Sequence, residues 1–209
     1  MTDQSVSDRK RLGILCAARA VFSRKGYADA AVDDVAEEAH IAKGTLYLYF
    51  KSKEELYLAA LVSDLQNMSA EARREMEAAE TFREKLEAFL RVRLDYCKSR
   101  QDFLRIYLAE YGSMFVKAPV NREMSQLFRE NMRYVAKVVE QARTRGEIRT
   151  ESAGAAAGAI FDISRGLMER RLLGWKEFRS HDEIEFAVEL LLAGIGSEHR
   201  AAARRGKRP

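Results

Sequence analysis

With 209 residues, the chain can form one large domain or a small head on a larger body. Its 47% hydrophobic and 33% charged residues exclude wholesale disorder, and no run of 18 apolar residues is present to span a membrane. The net charge of +4 is carried by the end of the chain, where Arg200, Arg204, Arg205, Lys207 and Arg208 stand without an acid; residues 1–60 hold nine basic and nine acidic side chains, so bulk basicity marks no nucleic-acid surface there. The first 25 residues contain Asp3, Asp8, Arg9, Lys10 and Arg11 and no long apolar core, which reads as a cytoplasmic chain without a secretory signal. The two cysteines, Cys16 and Cys97, are expected as reduced, partly buried thiols.

The periodicity is helical nearly throughout, and the fold class is all-α. From about Ser7 to Lys25, Leu12, Leu15, Ala18, Val21 and Phe22 form one stripe, which Gly26 ends. Short helices follow at about 32–39 and 43–49. Ser52 is the expected cap of a long helix over about 53–78, with Glu54 and Glu55 in its first turn. Thr81 caps another over about 82–99, with Leu86, Phe89, Leu90 and Leu94 facing inward. "QDFLRIYLAEYGSMF" reads as a helix fraying near Gly112; Pro119 starts the next, which Gly146 stops. Two apolar helices close the chain at about 153–173 and 182–197, with Ser180 or Asp182 as the cap of the last.

Residues 32–50, "VDDVAEEAHIAKGTLYLYF", carry the clearest chemistry. A helix-turn-helix needs a small residue where its helices cross, and Ala36 supplies it. Val32, Val35, Ala39, Ile41 and Leu46 stand at intervals suited to surround that crossing. From Lys43 onward, at 100° per residue, Leu46 and Phe50 point together toward a core, and Lys43, Gly44, Tyr47 and Leu48 lie on the opposite half. Tyr47 and Tyr49 can touch thymine methyls and donate an O–H to phosphate. Gly44 allows close backbone approach, and Thr45 can offer a hydroxyl and a methyl to a base edge.

Taken together, "ILCAARAVFSRKGY", "VDDVAEEA" and "KGTLYLYFKSKEEL" resemble the DNA-binding head of the TetR family of bacterial transcriptional regulators. The resemblance covers about the first quarter of the chain. It implies an N-terminal three-helix helix-turn-helix head on a six-helix ligand-binding and dimerisation body. The corresponding division is 1–52 for the head, 53–198 for the body and 199–209 for a basic disordered tail. It also implies a homodimer on a palindromic double-stranded DNA operator and release when a small-molecule effector binds. Carried over by position, Lys43, Gly44, Thr45, Tyr47, Leu48 and Tyr49 fall on the recognition helix, and Lys53 at the start of the next helix contacts a phosphate. The chain departs from the family pattern in having Ala30 and Ala31 before Val32, with Asp29 left to cap that helix. It also has His40 in the turn, Ala42 before Lys43, Leu48 in place of an aromatic residue and Tyr49 in place of a histidine.

In the body, Phe89, Tyr96, Phe103, Tyr107, Tyr111, Phe128, Met132 and Phe161 are candidates to line an apolar cavity, with Arg93 and Arg165 as its converging polar groups beside Arg105, Glu110 and Asp162. This favours a small apolar or aromatic effector. In the last two helices, Leu172, Leu173, Ile184, Phe186, Val188, Leu191 and Leu192 exceed what one internal face needs, which points to a four-helix homodimer interface. The leading function is a ligand-responsive transcriptional repressor. The alternative is a TetR-like helical protein that binds a lipid or other apolar ligand without binding DNA. No enzyme is expected: His40, His181 and His199 fall in a turn, a linker and the tail, no metal-ligand spacing occurs, and no cofactor is implied.

Overall fold

The computed structural model describes residues 3–106, 122–175 and 182–196. All secondary structure among them is helical: α1 (Asp3–Asp29), α2 (Val32–Glu38), α3 (Lys43–Tyr49), α4 (Lys53–Ala78), α5 (Phe82–Ser99), α6 (Gln101–Ile106), α7 (Arg122–Thr144), α8 (Ala153–Leu173) and α9 (Glu183–Gly196). The expected start at Pro119, the fray near Gly112, the linker residue Ser180 and the basic tail lie outside the described residues. No described helix is long and apolar enough to cross a membrane. The chain divides into two compact units, Met1–Met68 with Ser99–Ser125, and Ser69–Lys98 with Gln126–Pro209.

In the first unit, α1 buries Ile14, Leu15, Ala18, Val21 and Phe22. Leu12, expected on this stripe, is 53% exposed. At 100° per residue it stands well away from Ala18 at the stripe's centre, and Cys16 is exposed for the same reason. Helix α1 starts earlier than its periodicity signals and continues to Asp29, but Gly26 (φ 77°, ψ 172°) breaks its geometry where the glycine stop is expected. Helices α2 and α3 bury Val35, Ala36 and Leu46, and Phe50 closes α3 from its C-cap position. The centre of the unit is Tyr57 on α4. Its ring meets Phe22 at 5.4 Å, Tyr27 at 5.5 Å and Phe103 of α6 at 5.0 Å, and its hydroxyl donates to the Phe103 carbonyl at 3.0 Å. Asp64, also buried on α4, accepts from Arg19 at 2.6 Å and pairs with Arg100 at 3.6 Å. These contacts fix α1 and α6 to the first turns of α4.

The turn between α2 and α3 is a Schellman motif. The His40 N–H donates to Glu37 O and the Ile41 N–H to Ala36 O, both at 3.0 Å, and His40 sits at φ 54°. Gly146 closes α7 in the same way at φ 76°, as its glycine stop signals. A side chain at positive φ costs energy that glycine does not incur. His40→Gly therefore raises stability by about 0.5–1 kcal/mol after the extra freedom of the unfolded chain is deducted, and His40→Val lowers it by about 1–2 kcal/mol. Urea unfolding midpoints of the two variants check this.

In the second unit, α5 packs against α8. Thr81 and Glu84 form the capping box at the start of α5: the Thr81 hydroxyl accepts from the Glu84 N–H at 3.3 Å, and the Glu84 carboxylate accepts from the Thr81 N–H at 2.9 Å. The Thr81 N–H, the Thr81 hydroxyl and the Glu80 N–H, all bonded to the carboxylate, hold Glu84 below the usual carboxylate range. Lys85 caps the end of α4 by donating to the carbonyls of Met76 and Ala79. The inward stripe of α5 holds Phe82, Leu86, Phe89, Leu90, Arg93, Leu94 and Cys97. Phe89 meets Phe161 of α8 edge-on at 5.3 Å, and the Cys97 thiol donates to Met168 O at 3.6 Å. Ser152 caps α8 and Asp182 caps α9, through the N–H groups of Ala155 and Glu185.

Candidate functional site

Helix α3 displays a short, mixed surface. Leu46 and Phe50, one turn apart, share a face and are buried. The remaining positions are thereby turned outward. Lys43 and Gly44 are exposed, Thr45 and Tyr49 are half-buried at the flanks, Tyr47 is 44% exposed and Leu48 is 84% exposed. A leucine held that far into solvent on a short helix makes no contribution to the core. Its methyl groups remain available to an external apolar partner such as a thymine methyl.

The caps of both helices lack side-chain bonds. Ala42 precedes α3 in extended geometry (φ −67°, ψ 143°) and bonds no amide through its side chain. Ala31, and not Asp29, is the N-cap of α2; with no side-chain oxygen on Ala31, the Asp34 carboxylate reaches back to the Ala31 N–H at 2.9 Å. The Lys25 ammonium, 2.8 Å from Asp34, is the larger cause of that carboxylate's lowered pKa, followed by the Ala31 N–H.

The charges around α3 are engaged inside the protein. Lys43 Nζ lies 2.7 and 2.9 Å from the two Asp33 oxygens, and that hydrogen-bonded carboxylate raises the lysine pKa. Both groups are exposed, so the pair is weak. Lys53 Nζ donates to Ala28 O at 3.1 Å and Ala30 O at 2.9 Å and stands 4.6 Å from the Tyr27 ring centroid. It thus closes the α1–α2 connection and retains one of its three N–H donors. Arg11 was not legible in sequence as part of this region: its guanidinium lies 5.4 Å from the Phe50 ring centroid, which brings a cation of α1 beside the end of α3. The basic run Arg9–Lys10–Arg11 is visible in the sequence, but its proximity to Phe50 comes from the tertiary fold.

The structure brings together three of the body candidates. Arg93 of α5 lies between two rings, 5.2 Å from the Phe89 centroid and 5.3 Å from that of Phe161. Its side chain is buried, its Nε has no hydrogen-bond partner among the described residues, and desolvation pulls the guanidinium down to about 10. The other candidates are dispersed. Phe103 is buried in the first unit against Tyr57. Tyr96 and Met132 are half-buried and Phe128 is exposed. Arg165 is exposed and pairs with Asp162 at 3.2 Å and Glu169 at 4.0 Å, and Arg105 is exposed. Tyr107, Glu110 and Tyr111 lie outside the described residues. Among the described residues, no cluster of three or more His, Cys, Asp or Glu could hold a metal ion.

The profile of bacterial regulatory proteins of the tetR family matches residues 14–60. The HTH-type transcriptional regulator YhgD of Bacillus subtilis, itself uncharacterised, is 33% identical over 144 residues, 68% of this chain and 73% of YhgD. The HTH-type transcriptional activator FasR of Mycolicibacterium smegmatis is 32% identical over 105 residues, 50% of this chain and 48% of FasR. Among solved structures, the transcriptional regulator FadR of Bacillus subtilis, crystallised with stearoyl-CoA, superposes with a TM-score of 0.69 at 20% identity, covering 88% of this chain and 98% of FadR. At that identity the likeness speaks for the fold alone.

Proposed function

Because this chain belongs to the TetR family of bacterial transcriptional regulators, we propose that it is a homodimeric repressor that binds a palindromic DNA operator through α3 and leaves it when a small apolar or aromatic effector binds. The observation that carries this function is the outward face of α3, where Tyr47 and Leu48 stand exposed beside Lys43 while Leu46 and Phe50 anchor the helix. In this function Lys43, Gly44, Thr45, Tyr47, Leu48 and Tyr49 meet the major groove, and Lys53 spends its remaining donor on a phosphate. Residues 1–52 carry the DNA contact and 53–198 the effector and the dimer contact. An operator as ligand puts the site of action in the cytoplasm. The relatives named above are regulators, and we assign this chain no catalysis.

The dimer is supported by α9. Phe186, 64% exposed, and Leu190 lie one turn apart and form an apolar stripe toward solvent, while Val188 and Leu191 are buried on the other side. A second copy of the same stripe covers it with two-fold symmetry and sets two recognition helices about 34–36 Å apart, one turn of the duplex. Phe186→Lys accordingly sediments as a monomer and binds operator at least about 100-fold more weakly. A variant that remains dimeric rules out this face as the contact.

The function is tested by fluorescence anisotropy of the full chain on duplex from upstream of its own coding region, across a salt series. The expected affinity is at least about 1,000-fold above that for scrambled duplex at the same salt. Equal affinity for the two overturns the operator assignment. A reporter placed behind the same region reads the direction, with higher output when this protein is deleted if it represses.

A further inference from the structure

Five polar or charged residues are buried among the described residues: Asp64, Ser69, Arg93, Asn131 and Ser164. Four of them have partners within the protein, although Asp64 Oδ2 makes an ion pair and no hydrogen bond among the described residues. Asp64 has Arg19 and Arg100, Asn131 donates to Ser69 and accepts from Arg73, and Ser164 donates to the Phe161 carbonyl. Arg93 differs from all of them. It is 9% exposed, occupies an inward position on α5 in register with Phe89, Leu90 and Leu94, and faces two aromatic rings, with no acceptor for its Nε among the described residues. Ring faces attract a guanidinium but offer no lone pair to its five N–H groups. A buried cation without a counter-ion is expensive, and an apolar side chain of the same volume would fill the position better. Its placement is explained if the missing acceptor arrives from outside.

We infer that Arg93, flanked by Phe89 and Phe161, is the anion-recognising residue of the effector site, and that the effector is an organic carboxylate on an apolar or aromatic body. This rests on the effector reading given above and narrows its ligand class. A carboxylate accepts two parallel N–H bonds from the planar guanidinium, and each is strengthened by the low dielectric around it. The rings then supply apolar walls to the part of the ligand nearest the charge. The guanidinium pKa of about 10, lowered by desolvation, leaves it charged at neutral pH and gives it the most to gain from an anion.

The test uses the full chain in thermal melts and calorimetric titrations. The probes are octanoate, dodecanoate, phenylacetate and 4-hydroxybenzoate, each run beside its primary amide. The proteins are wild type, Arg93→Lys, Arg93→Gln and Arg93→Met, with circular dichroism to confirm folding. At least one carboxylate is expected to raise the wild-type melting temperature while its amide does not, and the octanoate–dodecanoate and phenyl arms separate an acyl from an aromatic body. Arg93→Gln loses at least about tenfold in affinity for that carboxylate, and Arg93→Lys keeps part of it. Free of ligand, Arg93→Met melts no lower than wild type, because a site retained for function is relieved by an apolar residue. The inference is overturned if no carboxylate binds, if amide and carboxylate bind alike, or if Arg93→Gln binds within twofold of wild type. It is likewise overturned if Arg93→Met melts well below wild type, which assigns Arg93 to the core. Operator binding measured alongside separates the two levels: specific DNA binding without carboxylate binding removes the anion site alone, and carboxylate binding without DNA binding removes the operator alone.

Discussion

Tyr57→Ala is expected to destabilise the first unit by about 3–5 kcal/mol, the range for emptying a buried aromatic site. Three helices meet at this ring. Phe22 and Tyr27 reach it from α1, Phe103 from α6, and Tyr57 itself stands on α4. Each aromatic pair adds about 0.5–1.5 kcal/mol beyond its buried area, and the hydroxyl satisfies the Phe103 carbonyl at 3.0 Å. Tyr57→Phe retains the rings and loses only that bond, at about 1–2 kcal/mol. Domains of this size have about 5–15 kcal/mol in total, so the alanine variant surrenders about a fifth or more. Guanidinium unfolding followed by circular dichroism measures both variants. A Tyr57→Ala protein within about 1 kcal/mol of wild type would show that the ring cluster does not hold the unit together.

Leu48→Glu is expected to produce the opposite pattern, with stability unchanged and DNA binding lost. The side chain is 84% exposed and touches no core, so unfolding should move by no more than about 0.5 kcal/mol. Against a duplex, the new carboxylate removes an apolar contact and meets phosphate repulsion, in both copies of a dimer. The expected loss is at least about 100-fold in operator affinity at fixed salt, against about tenfold for Leu48→Ala. Melting temperature and anisotropy on one preparation separate the two effects. Undiminished affinity of the glutamate variant would remove α3 from the interface and with it the proposed function.

Much of the fold was legible because local signals agree with one another. Thr81, Ser52, Gly146 and Asp182 all act at the helix ends where their chemistry predicts them. The register of α3 also follows from one turn of spacing between Leu46 and Phe50. Leu12 shows the limit of this approach, since a stripe read by eye admits a residue at its margin that the real neighbours leave in water. The cap of α2 shows another limit. Asp29 has the right chemistry for a cap, but the chain reaches its helical geometry only after Ala31, so Asp34 bonds backward instead.

Sequence by itself determined the helical class, the burial of the small residue Ala36 and which side of α3 faces outward, because each depends on residues within a turn or two of one another. The tertiary structure alone decided that Arg93 lies between Phe89 and Phe161, that Lys53 closes on the carbonyls of Ala28 and Ala30, and that Arg19 and Arg100 converge on Asp64. Helical periodicity reports the direction of a side chain around its own axis. What stands opposite that side chain depends on how distant helices pack, and a charge, a ring or a carbonyl there changes its chemistry without altering the local pattern.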